Sequence, residues 1–235
     1  MGVSFSLTKW YLDCVDADGR VAIAYWTEVA WRRLAICWHS LAVYNPGSAP
    51  LERSSAKAAP APTSVDGTIT WNADQLCCRL TCHSRVPILT RRLLNDRVGA
   101  VDWRCESARV DMVIACDGRE ILRGQGYAEC LNMTLLPWQL PIDTLRWGRW
   151  LSSSSDRSLV WIDWCGPHPL TAIVLDGAWQ QTGVVGDELG AGLWVQLVEG
   201  SPRLLRLAVS PRRPRSASFD YISGWPSPLC LEESH

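Results

Sequence analysis

Phenylalanine is nearly missing from this chain of 235 residues: 2 Phe and 5 Tyr stand against 14 Trp. No apolar run is long enough to cross a bilayer, and residues 1–8 show no basic segment followed by an apolar core, so the sequence predicts neither a transmembrane segment nor a secretory leader, and a cytoplasmic location. Neither sign of charge dominates, with 23 basic and 24 acidic residues. That balance implies neither a nucleic-acid partner nor an acidic membrane surface, and peripheral membrane contact is left open on other grounds. Paired C-x-x-C spacing is absent as well. The one metal-like cluster, Cys77, Cys78, Cys82 and His83, splits between the two faces of an extended segment, so no metal site is expected. Without a secretory leader, the 10 cysteines read as reduced, small, buried residues.

What remains is a series of strands. Asp-Gly pairs at 18–19, 117–118 and 176–177 each join apolar or alternating runs, the signature of antiparallel hairpins. Expected strands run over 9–16, 20–31, 34–44, 68–72, 75–84, 108–116 and 119–134. Both faces of 20–31 are largely apolar, which suits a closed or double-layered sheet, and Glu28 on its small-residue face is placed to look into a cavity. His39 reads as a core or edge histidine, since no serine or cysteine motif accompanies it. Residues 45–67, rich in Pro, Ala and Ser, read as a flexible excursion, and 85–100 as a solvated connection.

One segment stands out from this background: Gly124-Gln125-Gly126-Tyr127-Ala128-Glu129, followed by Pro137-Trp138-Gln139-Leu140-Pro141 and Arg146-Trp147-Gly148-Arg149-Trp150. In a strand Tyr127 and Glu129 become neighbours on one face, while Gly124 and Gly126 on the other let a second backbone or a ligand come close. A barrel bend carrying a surface Tyr and Glu would give the same pattern. It is no dinucleotide fingerprint, because Glu129 stands where the third glycine belongs. Pro137 and Pro141 cannot donate to a ladder, so 137–150 is expected to leave the sheet as a lid or rim.

Beyond the serine run at 152–155 a second strand series begins with Val160-Trp161-Ile162-Asp163, an echo of Trp10-Tyr11-Leu12-Asp13. The expected organisation is a barrel domain over 1–150, a shorter β repeat over 151–210 and a basic, proline-rich flexible tail over 211–235. The fold class is all-β and antiparallel.

The order of Tyr11-Leu12-Asp13, Asp18-Gly19-Arg20, Gly124 to Glu129, an aromatic-proline loop and Trp161-Ile162-Asp163-Trp164 resembles the lipocalin-like group of carotenoid 1,2-hydratases (hydroxyneurosporene synthases) and tocopherol cyclases. The likeness spans Trp10 to Gly177. It implies a lipocalin-like (calycin) barrel, or two consecutive, partly reduced barrels, around an apolar cavity. It further implies an apolar, isoprenoid or carotenoid-like substrate, no cofactor, and a reaction begun by protonating a double bond. Glu129 is then the acid and Asp163 the second choice, with Tyr127 orienting the acid or a water. Trp26, Trp138, Trp147 and Trp161 are candidates to face the carbocation, or are plain core, and Arg146 is available to pair with an acid such as Asp163. A non-catalytic carrier of an apolar ligand is the alternative class.

Overall fold

The computed structural model describes residues 5–152, 155–180, 192–201, 204–210, 218–222 and 231–232; the side chains of residues 144, 146, 163–165 and 192 onward are outside that description. Two compact units divide at Leu140 and Pro141. Helix is confined, among the described residues, to two single 3-10 turns, Asp74–Leu76 and Pro137–Gln139. All other regular structure is antiparallel β, as the alternating runs and Asp-Gly turns require.

The first unit is a ten-stranded sheet. Its first strands are β1 (Phe5–Val15), β2 (Val21–Trp31), β3 (Leu34–Tyr44), β4 (Leu51–Ser55), β5 (Thr63–Val65) and β6 (Thr68–Ala73). They are followed by β7 (Cys78–Ser84), β8 (Leu89–Asp96), β9 (Gly99–Cys116) and β10 (Arg119–Met133). The ladder runs β4-β3-β2-β1-β10-β9-β7-β6-β5, with β8 added on β9. β10, which carries the glycine segment, is therefore an interior strand.

Although the ladder is open, the sheet is rolled, because residues near its two edges meet. The His39 ring on β3 lies 6.1 Å from the Trp71 ring on β6. Arg53 on β4 donates to the Leu76 carbonyl at 2.7 Å and pairs with Asp117 at 2.6 Å in the β9–β10 turn. The result is a lipocalin-like, antiparallel barrel architecture whose concave face carries one continuous core. Trp10, Leu12 and Cys14 of β1, Ala24 and Trp26 of β2, Leu41 of β3, Trp71 of β6, Leu80 of β7, Met112 and Ile114 of β9, and Ala128 of β10 all belong to it. Removing each such large apolar side chain from water stabilises the fold by about 1.5–3 kcal/mol.

Several local expectations are corrected. Residues 45–67 are not a free excursion: β4 and β5 extend the sheet, and the carbonyls of Ala58, Ala59 and Pro60 accept from Gln75 Nε2 (3.3 Å), Trp26 Nε1 (3.0 Å) and Trp71 Nε1 (3.2 Å). Polar indole N–H groups need partners when buried, and the proline-rich segment supplies them. Residues 85–100 contain β8 and the beginning of β9 in place of a solvated connection, joined at Asp96 and Gly99. Asp117-Gly118 and Asp176-Gly177 have positive φ at both residues, as two-residue hairpin turns demand, but β1 and β2 are joined through the longer connection 16–20, with only Gly19 at positive φ. There the Asp16 carboxylate caps the turn by accepting from the backbone N–H of Asp18 and Arg20. Cysteine usage also differs from expectation, because Cys78 and Cys116 form a disulfide between directly opposed residues of β7 and β9.

The second unit is an eight-stranded antiparallel sheet in the order β14-β13-β12-β11-β15-β16-β17-β18. Its strands are β11 (Thr144–Ser152), β12 (Ser158–Cys165), β13 (Leu170–Leu175), β14 (Ala178–Gln180), β15 (Gly192–Ser201), β16 (Leu204–Ser210), β17 (Ser218–Ile222) and β18 (Leu231–Glu232). Pro137 and Pro141 do lie outside any strand, but Arg146 to Trp150 belong to β11, which is paired on both sides by β12 and β15. The expected departure from the sheet therefore extends only to residue 143. Of the expected tail, residues 211–217, 223–230 and 233–235 lie outside the described residues.

Candidate active site

Glu129 leaves the convex face of the rolled sheet, opposite to the core. Strand parity places Gly126, Ala128 and Cys130 of β10 against Cys14, Leu12 and Trp10 of β1 on the concave side, and Tyr127 and Glu129 against Asp13 and Tyr11 on the convex side. Gly124 and Gly126 allow this arrangement. A Cβ at Gly126 would overlap the Asp13 carbonyl, and one at Gly124 the Val15 carbonyl, so the close approach they permit is that of the β1 backbone.

Two Tyr-x-acid pairs face each other across this ladder. Tyr127 donates to Glu129 Oε2 at 2.7 Å, and Tyr11 donates to Asp13 Oδ2 at 2.9 Å. The antiparallel register then sets Tyr11 opposite Glu129 and Asp13 opposite Tyr127. On the other side of β10 the pairing with β9 shifts between Gly126 and Glu129, leaving β9 bulged beside the acid. Bulges re-aim side chains near functional sites. Here Trp103 from β9 donates its indole N–H to Glu129 Oε2 at 2.6 Å. Tyr25 of β2 completes the group, its ring 5.2 Å from that of Tyr11, with Lys9 Nζ 5.2 Å from its centroid. The Tyr11 and Tyr127 rings are 6.2 Å apart.

The electrostatics shift Glu129 toward its protonated form. Burial raises the pKa of Glu129 above its ordinary value, and the Asp13 charge adds to the rise, against the opposing pull of Lys9 and of the Trp103 and Tyr127 hydrogen bonds. Both donors reach Oε2. A proton on Oε1 is thus compatible with both bonds. Glu129 is only partly buried, whereas Tyr127 is completely so, and its hydroxyl is held well above the usual phenol range by burial and by the adjacent Glu129. Burial likewise pushes the neighbouring Cys105 thiol up.

The other residues chosen from sequence are distributed elsewhere. Trp26 is on the concave side with its N–H held by Ala59, so it and Glu129 occupy opposite faces of one sheet. Glu28 shares the parity of Trp26 but is exposed near the end of β2, beyond the buried stretch. Trp138 is 71 % exposed in its 3-10 turn, where the lid reading required burial. In the second unit Trp147 is buried, and Trp161 belongs to a core with Trp150, Leu159 and Ile173, its ring lying where a Cβ on Gly148 would stand. Arg146 and Asp163 are opposed in the β11–β12 ladder, and their side chains lie outside the described residues. Tyr11, Asp13 and Trp103 were missed as site residues. The Tyr-x-acid pattern of 127–129 is present again at 11–13 and could have signalled the first two.

No protein-family model matches the chain, and no curated protein does. Among solved structures it is similar to kievitone hydratase from Nectria haematococca, at 6% identity over 96% of this chain and 86% of that one with a TM-score of 0.48. It is also similar to CghA, at 10% identity over 96% and 86% of the two chains with a TM-score of 0.46. Likeness at that level carries nothing about activity.

Proposed function

We propose that this chain is a small-molecule hydratase or cyclase that begins its reaction by protonating a carbon–carbon double bond from Glu129. The observation that carries this reading is a single carboxyl whose two hydrogen-bond donors converge on one oxygen while burial disfavours its charge. An unactivated alkene accepts a proton only from an acid that is still protonated at working pH, and burial among apolar groups is the standard route to one. In the proposed step the Oε1–H bond breaks, one alkene carbon gains the proton and its neighbour becomes a carbocation. Water or an internal hydroxyl then supplies the electron pair, and the proton it sheds returns to Glu129, so the cycle consumes no co-reactant.

Tyr127 and Trp103 hold the carboxyl in one orientation. Tyr11 and Tyr25 lie on the same face as Glu129 and take over the part first given to Trp26. Cation–π attraction supplies about 0.5–2 kcal/mol per well-placed ring. The substrate is an apolar, isoprenoid-like alkene. The carrier alternative has less support, because Trp26 and Trp71 are buried on the concave side with their N–H groups committed to the carbonyls of Ala59 and Pro60.

The test is turnover of isoprenoid alkenes in deuterated water. One deuterium at the protonated carbon and none with Glu129→Gln is the expected result. A wild-type protein that binds such alkenes and leaves them unlabelled would assign it to the carriers.

A further inference from the structure

Six large apolar side chains are strongly exposed among the described residues, and four of them gather at one end of the first unit. Leu34 (62 %) and Ile36 (57 %) stand at the tip of the β2–β3 hairpin, Val98 (48 %) at the β8–β9 turn, and Trp138 (71 %) in the 3-10 turn after β10. The ladders bring these points together. Phe5 pairs with Trp31, Leu7 with Met133, and Met133 with Val101, so the start of β1, the β2–β3 tip, the end of β10 and the start of β9 share one edge. A ring contact of 6.2 Å between Trp31 and Trp138 closes the gap between the tip and the 3-10 turn.

The charge at this end is mostly positive. Exposed Arg32 and Arg33 form the two-residue turn of the hairpin, Arg32 lying over the Trp31 ring at 5.1 Å, and Arg97 lies beside Val98. Asp96 is the acid at the β8–β9 turn, and Glu28 belongs to the opposite parity of β2. A near-neutral chain thus carries a local concentration of arginine around projecting Leu, Ile, Val and Trp side chains. Scattered apolar residues on a surface need no explanation, but a cluster set among an excess of arginine does.

We infer that this end of the first unit docks on an anionic lipid surface. Tryptophan and arginine both suit the bilayer interface: the indole has an apolar body with one donor, and the long arginine stem lets its head stay with phosphates while neighbours enter the acyl boundary. Each arginine near an anionic surface contributes attraction that salt screens. The apolar knobs supply the salt-independent part. The inference is independent of the chemistry proposed for Glu129, which lies further along β10.

Flotation of the full chain with vesicles tests it. Wild-type protein is expected to float with phosphatidylcholine vesicles containing one quarter phosphatidylserine, weakly with phosphatidylcholine alone, and less as salt is raised. Leu34→Ser with Trp138→Ser should lower partitioning by roughly tenfold or more. Arg32→Asn with Arg33→Ser, where Asn tolerates the positive φ of residue 32, should lower it by about tenfold and remove most of the salt dependence. Glu129→Gln should float like the wild type. Failure of the wild type to float with either vesicle, or equal flotation of the surface variants, would overturn the inference. So would a dimer dispersed by Leu34→Ser with Trp138→Ser, since it would assign the patch to a second copy of the chain.

Discussion

Tyr127 donates to Glu129 Oε2 at 2.7 Å from two residues away on the same strand face. Alternation alone makes them neighbours, and the Trp103 indole from the adjacent bulged strand fixes the same oxygen from the other side. Glu129→Gln preserves size and keeps one carbonyl oxygen able to accept from Tyr127 and Trp103, but it replaces the other oxygen by an NH2 donor and has no acidic proton to transfer. Turnover should fall by ~10²–10⁴-fold while substrate affinity stays nearly constant, as measured by steady-state and single-turnover kinetics beside equilibrium binding. Equal loss of binding and turnover would point to a structural glutamate.

The raised pKa of Glu129 has a sign that stability can report. Because its folded pKa lies above its unfolded value near 4.5, the stabilising protonated form is fully present below that pH and is lost as pH rises through the folded pKa. Glu129→Gln carries no such charge. Relative to wild type the variant should therefore gain in melting temperature as pH rises above about 4.5, with the difference levelling off beyond the folded pKa. A constant offset across pH would contradict the raised pKa.

Trp103→Phe and Tyr127→Phe each remove a donor that favours the ionised carboxylate, so in both the pH at which activity declines on the alkaline side should move upward. The rate loss should be smaller than for Glu129→Gln. Since Trp103 is buried, its replacement is also expected to cost ~1–3 kcal/mol in urea unfolding, from the lost hydrogen bond and the space left behind. A downward movement of the alkaline limb in either variant would refute the assignment of these groups as positioning residues.

Gly126→Ala tests the close approach of β1 to β10. A methyl group there meets the backbone carbonyl of Asp13, which cannot turn aside as a flexible side chain could. Overpacking typically costs ~1–3 kcal/mol and more where backbone must shift, so the variant should unfold at markedly lower urea or fail to accumulate. Gly19→Ala meets nothing within 4 Å, and its cost should reflect the positive φ alone.

Peptide mapping under non-reducing conditions, with free thiols blocked first, should recover Cys78 linked to Cys116. Cys14, Cys37, Cys77, Cys82, Cys105 and Cys130 should be found alkylated after denaturation. A chain in which Cys78 also reacts as a thiol would restore the reduced reading.

By itself the sequence determined what is local. Side-chain alternation over 124–134 settled that Tyr127 and Glu129 share a face and that both glycines share the other, and the Asp-Gly pairs at 117–118 and 176–177 set two hairpins through their need for positive φ. Which face is concave was not a local property. It depends on the direction in which ten strands curl, decided where β3 and β4 meet β6, the Asp74–Leu76 turn and the β9–β10 turn. That closure sent Trp26 inward and Glu129 outward, although both look equally buriable in sequence. The same long-range packing turned residues 45–67 from an apparent linker into two strands and a set of carbonyl acceptors, because buried indoles required partners that only a distant segment could bring. Asp13 and Trp103 joined Glu129 for a similar reason: ladder register and a bulge, both products of tertiary pairing, put residues more than twenty positions apart within reach of one carboxyl.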